Sequence, residues 1–386
     1  MEDWQHGGFG LYLHWPFCQS KCPYCDFNSH VSARIDQKRW EKAYLREIDR
    51  AGAETAGRVL QTVYFGGGTP SLMHPDLVAA ILDRVRSTWP MVNDPEVTLE
   101  ANPSSVEAGR FAGYRDAGVT RISMGFQALD DRHLQKLGRL HTVADAKQAL
   151  RVASSVFDRV SFDLIYARQD QNLSAWKAEL AEALAMAEGH LSLYQLTIED
   201  GTAFGDRFAA GKLRGLPEED LAADLFELTQ AMCADAGYDA YEVSNHAKPG
   251  QESRHNLVYW QGGDYLGIGP GAHGRITLDG SRRATEARKA PGDWLASVEA
   301  GTEGELPRAQ LSASDHATEY LLMSLRTTQG LSLQRFKAIA GRALAPVAVQ
   351  RLQELSLAQI RDGFLQATPA GRMVLNGILR ALTADP

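Results

Sequence analysis

Cys18-Gln19-Ser20-Lys21-Cys22-Pro23-Tyr24-Cys25 contains three of the four cysteines in a chain of 386 residues. It follows residues 9–14, an apolar run with the pattern of a buried strand. A structural zinc site takes four ligands, usually in cysteine pairs two residues apart, so one ligand is missing here. His14 or His30 could complete a zinc site, and that alternative stays open. A cubane iron–sulfur cluster on three cysteines would instead leave one iron open to a further ligand.

Composition and charge are those of an ordinary globular protein. Apolar residues make up 44% and charged residues 23%, and the net charge of −8 does not indicate bulk binding of nucleic acid. The polar, acidic start is unlike a signal peptide, and no apolar run reaches the ~18 residues of a membrane span. Clustered cysteines without an export signal predict a cytoplasmic protein that binds a metal rather than forming disulfides. Cys233 lies in an apolar helical stretch and is expected to fill the core.

Short apolar runs alternate with helical patterns through the first 230 residues. Strands are predicted at 9–14, 61–65, 96–100, 120–124, 160–165 and 191–196. Helices are predicted at 36–51, 75–86, 104–117, 143–155, 173–187 and 217–236. Six such units predict a parallel α/β sheet, and they suit an open, partial TIM-type (β/α)6 barrel better than a closed barrel of eight. A doubly wound sheet is the alternative.

The pattern changes after the sixth unit. Residues 241–246 are strand-like, and the five glycines of 263–274 indicate tight turns or close backbone approach. Residues 278–310 are charged and turn-rich, as in a linker. We therefore predict a barrel over 1–237, a glycine- and aromatic-rich extension with a linker over 238–307, and a winged-helix-like domain over 308–386.

The C-terminal domain is predicted from three helices, at 314–327, 332–340 and 346–355, followed by a hairpin within 363–371 and a last helix. Many winged helices bind DNA through the third helix. Here that helix carries a single cation, Arg351, whereas phosphate binding needs several. An intramolecular or dimer-packing role is therefore expected, with DNA binding by an iron–sulfur protein as a weaker alternative.

The cysteine spacing, with aromatic Tyr24 before the last cysteine, resembles the signature of the radical S-adenosylmethionine (SAM) superfamily. In that family three cysteines hold a [4Fe–4S] cluster, and the amino and carboxylate groups of SAM chelate the fourth iron. The family fold is a partial TIM-type barrel. The resemblance implies that Cys18, Cys22 and Cys25 bind the cluster and that SAM completes it.

The same resemblance assigns roles to residues at the strand ends. It implies contacts with the amino-acid part of SAM at Gly67, Gly68 and Thr69. It implies a cofactor contact at Glu100, for which a solvated strand end is the alternative. It implies a polar set around the adenosine, or around a second SAM-sized site, at Gln127, Arg139 and Asp163. Ordinary hydrogen bonds of a barrel rim are the alternative for this set. Tyr12 and His14 are expected to point from the first strand towards the cluster loop, and Tyr24 could offer a ring face to a planar ligand.

Further motifs resemble the coproporphyrinogen III oxidase-like branch over nearly the whole chain. They are Tyr12-x-His14-x-Pro16-Phe17-Cys18, Gly66-Gly67-Gly68-Thr69-Pro70, Phe162-Asp163-Leu164-Ile165-Tyr166 and Gly267-Ile268-Gly269-Pro270-Gly271-Ala272-His273. That branch contains two activities. HemN-type dehydrogenases decarboxylate two propionates of coproporphyrinogen III with 5′-deoxyadenosyl radicals, whereas HemW-type chaperones bind heme and deliver it to hemoproteins, including respiratory ones.

Three features favour the chaperone type. HemN-type proteins carry a further cysteine where this chain has Phe27, and they have a longer segment than the 17 residues before Cys18. His255-Asn256-x-x-Tyr259-Trp260 matches the motif associated with heme binding in HemW-type proteins. The resemblance implies His255 as a heme ligand, with Tyr259 and Trp260 beside it. The alternative is that these side chains merely pack the edge of the barrel.

The cofactors expected from the resemblance are a [4Fe–4S] cluster, SAM and heme, and the expected partners are recipient hemoproteins. Nucleic acid is not expected. Peripheral membrane contact and a homodimer stay open. The ligand set is the same for a protein that cleaves SAM and for one that only binds it, so the dehydrogenase remains the alternative function.

Overall fold

The computed structural model of the chain describes residues 2–32 and 34–384. A short 3-10 turn at Asp3–His6 precedes the first strand, and another at Pro70–Leu72 follows the strand at Leu60–Gly67. The elements of the barrel, in chain order, are β1 Phe9–Trp15, β2 Phe17–Cys18, β3 His30–Val31, α1 Gln37–Glu54, β4 Leu60–Gly67, α2 Pro75–Thr88, β5 Met91–Ala101, α3 Ser105–Ala108, α4 Phe111–Ala117, β6 Arg121–Gln127, α5 Asp131–Lys136, α6 Val143–Val156, β7 Arg159–Tyr166, α7 Leu173–Met186, β8 His190–Gln195, α8 Ala203–Ala209 and α9 Glu219–Asp235.

The second part of the chain adds further strands to the same sheet. Its elements are β9 Asp239–Ala240, β10 Asn245–Ala247, α10 Arg254–Trp260, β11 Asp264–Ile268, β12 His273–Leu278, β13 Ser281–Glu286, α11 Pro291–Glu299 and β14 Ala309–Gln310. The C-terminal elements are α12 Ala313–Ser324, β15 Leu331–Ser332, α13 Leu333–Ala340, α14 Pro346–Glu354, β16 Ala358–Arg361, β17 Phe364–Ala367, α15 Pro369–Met373 and α16 Leu375–Thr383.

The six predicted strand–helix units are present. The strands β1, β4, β5, β6, β7 and β8 pair in that order, all parallel, and β11 joins β1 in parallel from later in the chain. Antiparallel strands extend both sides, so the sheet runs from β14 to β9, and these two end strands do not pair within the described ranges. The fold is therefore a partial barrel, as predicted.

Every second side chain of the barrel strands faces inward, and many of these are polar. On β6, Ile122 and Met124 pack under the outer helices, whereas Arg121 and Ser123 line the interior. The same alternation recurs on the neighbouring strands, because side chains of a strand point to opposite faces in turn. The interior is therefore a polar cavity beneath an apolar shell.

Two predicted elements in the barrel half need correction. The helix predicted at 104–117 is two helices, α3 and α4, with Gly109 between them, a residue that weakens a helix. The strand predicted at 241–246 is largely a turn between β9 and β10. The carboxylate of Glu242 closes this turn by accepting hydrogen bonds from Ser244 N and Asn245 Nδ2, both at 2.9 Å.

The linker predicted at 278–310 is wrong, because this segment forms β13, α11 and β14. Two of its charged side chains are paired inside the protein: Arg282 Nη1 donates to the buried carboxylate of Asp264 (2.8 Å), and Glu305 accepts a hydrogen bond from Arg50 Nη2 (3.1 Å). Trp294 of α11 stacks on Trp40 of α1 with ring centroids 5.5 Å apart. The segment therefore belongs to the main hydrophobic core.

The C-terminal helices and strands have the predicted winged-helix-like arrangement. The hairpin lies earlier than predicted, with β16 and β17 joined by Asp362 and Gly363, which both have positive φ, of 50° and 82°. A separate hydrophobic cluster, from Ala317 to Leu382, holds these elements together. The domain boundaries at 237 and 307 stay predictions. Among the described helices, none is long and apolar enough to cross a membrane.

Candidate metal and cofactor site

A cavity of about 700 Å³ occupies the interior of the barrel. At the C-terminal ends of the strands its wall includes Cys18, Cys22 and Cys25. At the opposite end it reaches Ser253 and Asn256, at the start of α10. The three cysteines named by the sequence therefore face one cavity, at the rim where chemistry collects in barrels of this kind.

Donor groups lie close to two of the three thiols. Arg139 Nη1 is 3.4 Å from Cys22 Sγ, and Thr69 Oγ1 is 3.5 Å from Cys18 Sγ. Burial raises the pKa of the Cys18 and Cys25 thiols, so a metal would have to displace their protons. Donors of this kind stabilise thiolate sulfur and tune an iron–sulfur centre. Cys233 is fully buried in α9, which confirms that it fills the core.

The zinc alternative does not fit the histidines. His14 Nδ1 lies 3.0 Å from Tyr12 Oη, and His14 Nε2 lies 2.9 Å from the carbonyl oxygen of Asn28. His30 Nε2 is 3.2 Å from Asn28 Oδ1. In the described part of the chain, no three His, Cys, Asp or Glu side chains converge as a single ion requires. Three thiols around one side of a large cavity fit a cluster better than an ion.

A [4Fe–4S] cluster held by Cys18, Cys22 and Cys25 would supply an electron and one iron left open to SAM. The loop after β4 lies beside the cluster loop, where Gly67 has a φ of 112° and adjoins the His14 ring. A Cβ on Gly68 would come within 2.7 Å of the Phe17 carbonyl oxygen. These glycines let two loops approach, and Gly67, Gly68 and Thr69 all line the cavity.

Glu100 ends β5 inside the cavity. Its Oε1 accepts a hydrogen bond from Tyr64 Oη (2.8 Å), and its Oε2 accepts one from Gly67 N (3.2 Å). Burial raises the pKa of Glu100 to about 7, although these hydrogen bonds act to lower it. Glu100 can therefore bind a proton near neutral pH at the edge of the loop expected to hold SAM.

Gln127, Arg139 and Asp163 form one connected polar set. Gln127 Nε2 donates to Asp163 Oδ2 (2.9 Å), and burial raises the pKa of Asp163 to about 6 against the nearby charge of Arg139. Gln127 has a φ of 71°, which is unusual for a non-glycine residue and follows an irregularity in the pairing of β6 with β7. Arg139 Nη2 is fixed by Asn102 Oδ1 (2.6 Å) and by the Gly125 carbonyl oxygen (3.0 Å).

The two tyrosines predicted near the cluster occupy different places. Tyr24 lines the cavity, and its ring lies 6.4 Å from that of Phe204. Tyr12 does not line it; its ring stacks on Tyr64 at 6.2 Å, and its hydroxyl reaches His14. Tyr64, on which Tyr12 stacks, does line the cavity.

The structure does not bring the predicted heme residues to the cavity wall. His255 is fully buried in α10, which closes the N-terminal end of the barrel. Its Nδ1 lies 2.7 Å from Thr62 Oγ1, and its Nε2 lies 2.5 Å from Tyr259 Oη. Burial, together with the charge of Arg121, lowers the pKa of His255 to about 3. Trp260 packs at 5.9 Å from the ring of Tyr241.

Several cavity residues were not singled out from the sequence. They are Asn102, Arg121, Ser123, His190, Ser192 and Tyr194. The sequence does indicate some of them, because polar and apolar residues alternate along their strands, for example in Arg121-Ile122-Ser123 and in His190-Leu191-Ser192. Polar residues at every second position of an otherwise apolar strand predict a polar interior face.

Family models match both parts of the chain. The model of the radical SAM superfamily matches residues 12–181, and the model of the HemN C-terminal domain matches residues 311–374. Among solved structures, coproporphyrinogen III oxidase (HemN) from Escherichia coli is similar, with a TM-score of 0.82 and 20% sequence identity over 98% of this chain and 90% of that chain. This likeness confirms the fold of a partial barrel with a C-terminal domain.

Curated proteins match over nearly the full length. The heme chaperone HemW of Escherichia coli (strain K12) is 37% identical over 97% of this chain and 98% of that protein. The heme chaperone HemW of Mycobacterium tuberculosis (strain H37Rv) is 36% identical over 97% and 94%. The radical S-adenosyl methionine domain-containing protein 1, mitochondrial, of Bos taurus is 38% identical over 96% and 86%.

Proposed function

The chain belongs to the HemW family of radical SAM proteins, and from that premise we propose that it is a heme chaperone. It binds heme and a SAM-ligated [4Fe–4S] cluster, and it delivers the heme to hemoproteins, including respiratory ones. The observation that carries this proposal is the 37% identity to a heme chaperone over 97% of the chain. The cavity supports it, because Cys18, Cys22 and Cys25 face a space lined with donors for SAM.

His255 is proposed as a heme contact, with Tyr259 and Trp260 beside it. Because both ring nitrogens lie within hydrogen-bond distance of Thr62 and Tyr259, iron ligation requires one of these contacts to open. Movement of α10 would open the contact with Thr62, which lies on β4, whereas His255 and Tyr259 move together because both belong to α10. Heme binding at His255 is therefore expected to be accompanied by movement of α10.

Heme titration tests the function. Purified protein, reconstituted with iron and sulfide, is expected to develop a Soret band when heme is added. His255→Ala should weaken this band several-fold while leaving the visible absorbance of the cluster intact. His246→Ala is the matched control, because His246 is equally buried at the bottom of the barrel but lies on β10.

The outcomes separate the two proposals. The chaperone function fails if the wild-type protein shows no Soret band. If His255→Ala binds heme as tightly as the wild-type protein does, the function stands and the contact at His255 is wrong.

The dehydrogenase alternative makes a different prediction. It requires SAM-dependent loss of coproporphyrinogen III under anaerobic, reducing conditions. The position where HemN-type proteins are expected to carry a further cysteine is Phe27, which is 58% exposed at the cavity wall. We therefore expect no turnover in this assay.

A cytoplasmic location, a homodimer and peripheral membrane contact are also proposed from the sequence. Light scattering of the purified chain tests the dimer, and cosedimentation with anionic vesicles tests membrane contact. A monomer that stays in the supernatant would reject both.

A further inference from the structure

A buried guanidinium lies in the deep part of the cavity, away from the cysteines. Arg121 begins β6, is 3% exposed and lines the cavity. Its side-chain hydrogen bond runs from Nη2 to Ser161 Oγ, at 3.1 Å. A guanidinium has five N–H donors, so most of its capacity remains for a group in the cavity.

The charges around Arg121 do not balance. The buried carboxylate of Glu96 lies 2.7 Å from Arg159 Nη1 and 3.8 Å from Arg121 Nη1. The single negative charge of Glu96 thus lies between two positively charged guanidinium groups, which leaves an excess of one positive charge. Glu242 does not compensate it, because Glu242 pairs with Arg326 at 2.5 Å.

The other acids in the cavity stand nearer the rim. Asp163 accepts a hydrogen bond from Gln127 and lies near the positive charge of Arg139. Glu100 accepts hydrogen bonds from Tyr64 and Gly67. An uncompensated buried charge is costly, so the deep end favours an anion.

Neutral polar atoms surround the same place. His190, on β8, is 4% exposed and lines the cavity. Its Nε2 lies 2.7 Å from Tyr241 Oη, while its Nδ1 has no partner in the part of the chain that the structure describes. In the tautomer whose Nε2 accepts from the tyrosine, Nδ1 carries the proton and is a donor. Asn256, from α10, completes the lower wall.

We propose that Arg121, His190 and Asn256 form a carboxylate-binding subsite at the floor of the barrel cavity. The planar guanidinium suits the two oxygens of a carboxylate, and the His190 Nδ1–H and the Asn256 amide supply further donors. A monoanion matches the single excess positive charge, whereas a phosphate dianion would exceed it. The subsite does not depend on heme being the cargo.

The test uses sodium propionate as the probe and the full, cluster-reconstituted chain. Binding is followed by NMR of the His190 Cε1 resonance, assigned by its loss in His190→Gln. We expect a saturable shift with propionate and none with propionamide, which has the same shape but no charge. Sodium phosphate should bind at least tenfold more weakly than propionate.

Variants locate the site. Asn256→Asp keeps the side-chain shape but adds a negative charge, so propionate should bind at least tenfold more weakly. Asn172→Asp is the matched control: it makes the same change at the N-cap of α7, outside the cavity, and should bind as the wild-type protein does. Arg121→Gln should abolish the shift, and Asn256→Asp keeps the test decisive if Arg121→Gln does not fold.

Competition identifies the source of the carboxylate, which could be a heme propionate, SAM or a small acid. Displacement of propionate by heme but not by heme dimethyl ester assigns the site to a heme propionate. Displacement by SAM alone assigns it to SAM, and displacement by neither assigns it to a separate small acid. The proposal is overturned if propionamide shifts His190 as propionate does, or if Asn256→Asp binds propionate like the wild-type protein.

Discussion

Glu100 shows how burial at one residue sets a dependence on pH. Its pKa is raised to about 7 from the ordinary value of 4.5, so between these values the folded state binds a proton that the unfolded state does not. The resulting stability is complete below pH 4.5 and is lost as pH rises through 7. Glu100 therefore destabilises the fold at alkaline pH, where its buried side chain is charged.

Glu100→Gln should remove this dependence. Relative to the wild-type protein, the variant should gain stability between pH 4.5 and pH 8, by up to about 3 kcal/mol. A loss of stability from the altered hydrogen bonds that is the same at every pH cancels when the effects at pH 4.5 and pH 8 are subtracted. Urea unfolding of the cluster-free protein measures it, with the exposed Glu227→Gln in α9 as control. Parallel pH profiles for Glu100→Gln and the wild-type protein would contradict the expectation.

Thr69 is expected to tune the cluster through its hydroxyl, which lies 3.5 Å from Cys18 Sγ. Thr69→Val removes the donor but keeps the shape, so the reduced, more negative cluster loses stabilisation. The reduction potential should fall by on the order of tens of millivolts. Spectroelectrochemistry of the reconstituted protein measures this shift.

Thr98→Val is the control for Thr69→Val. Thr98 is fully buried on β5, and its hydroxyl has no hydrogen-bond partner in the described part of the chain. Its replacement should leave the potential unchanged. Equal potentials for Thr69→Val and the wild-type protein would show that the hydroxyl does not act on the cluster.

The site residues divide into those that motifs at strand ends indicate and those that only the alternation of polar and apolar residues indicates. Cys18, Gly67 and Glu100 stand directly at strand ends, and the carboxyl ends of parallel strands share one rim, so their convergence follows from the pattern alone. Arg121 and His190 begin their strands at the opposite end, where no loop or motif marks them. Alternation with the core residues Ile122 and Leu191 indicates that they face inward, but it does not show which other side chains they meet there.

At the scale of elements, the strand–helix alternation was predictable because each unit carries its own hydrophobic period. The segment 278–310 was not, because some of its charges pair with partners far away in sequence. Glu305 accepts a hydrogen bond at 3.1 Å from Arg50 Nη2, 255 residues away, and nothing local to either residue reveals the pair. Charged residues therefore indicated a linker where the structure has paired strands.

Helix α13 ties three distant parts of the chain together through Arg335. Arg335 Nε lies 2.7 Å from Asp3 Oδ1, and Nη2 lies 3.0 Å from the Gly262 carbonyl oxygen, just after α10. The guanidinium also stands over the ring of Tyr320, at 4.3 Å. Burial would raise the pKa of Asp3, but the hydrogen bond and charge of Arg335 outweigh it and lower that pKa.

Arg335→Ala should therefore destabilise the protein by about 2–3 kcal/mol at pH 7, because it leaves Asp3 without its partner. The difference should shrink as pH falls below 3.8, the ordinary pKa of Asp3, since a lowered pKa contributes its full stability above that value and loses it as pH falls through the lowered pKa. Urea unfolding of the variant and the wild-type protein at pH 7 and below pH 3.8 measures this difference in stability. Lys337→Ala, exposed on the same helix, is the control, and an equal loss in both variants would contradict the assigned role.

At the scale of the whole molecule, the barrel contacts the cluster loop, residues 18–27, at a few defined points. Between the cysteines, Cys25 N donates a backbone hydrogen bond to Cys22 O (3.2 Å), and Pro23 O accepts one from Phe204 N (2.8 Å). Beyond the loop, Asn28 Nδ2 bonds to the carbonyl oxygens of Pro270 and Lys289, both at 2.9 Å. The barrel holds the ends of the loop, so we expect the cluster to order its middle.

Removing the cluster should therefore affect this loop alone. Amide hydrogen exchange of residues 19–27 should quicken at least tenfold, while β1 and β4 keep their protection, because their hydrogen bonds do not involve the loop. A variant with Cys18, Cys22 and Cys25 all changed to Ser should reproduce the exchange pattern of the chelated wild-type protein. Asn28→Ala should extend the fast exchange to residues 28–31, since it releases the far anchor. Fast exchange in β1 and β4 after chelation would show instead that the cluster supports the barrel itself.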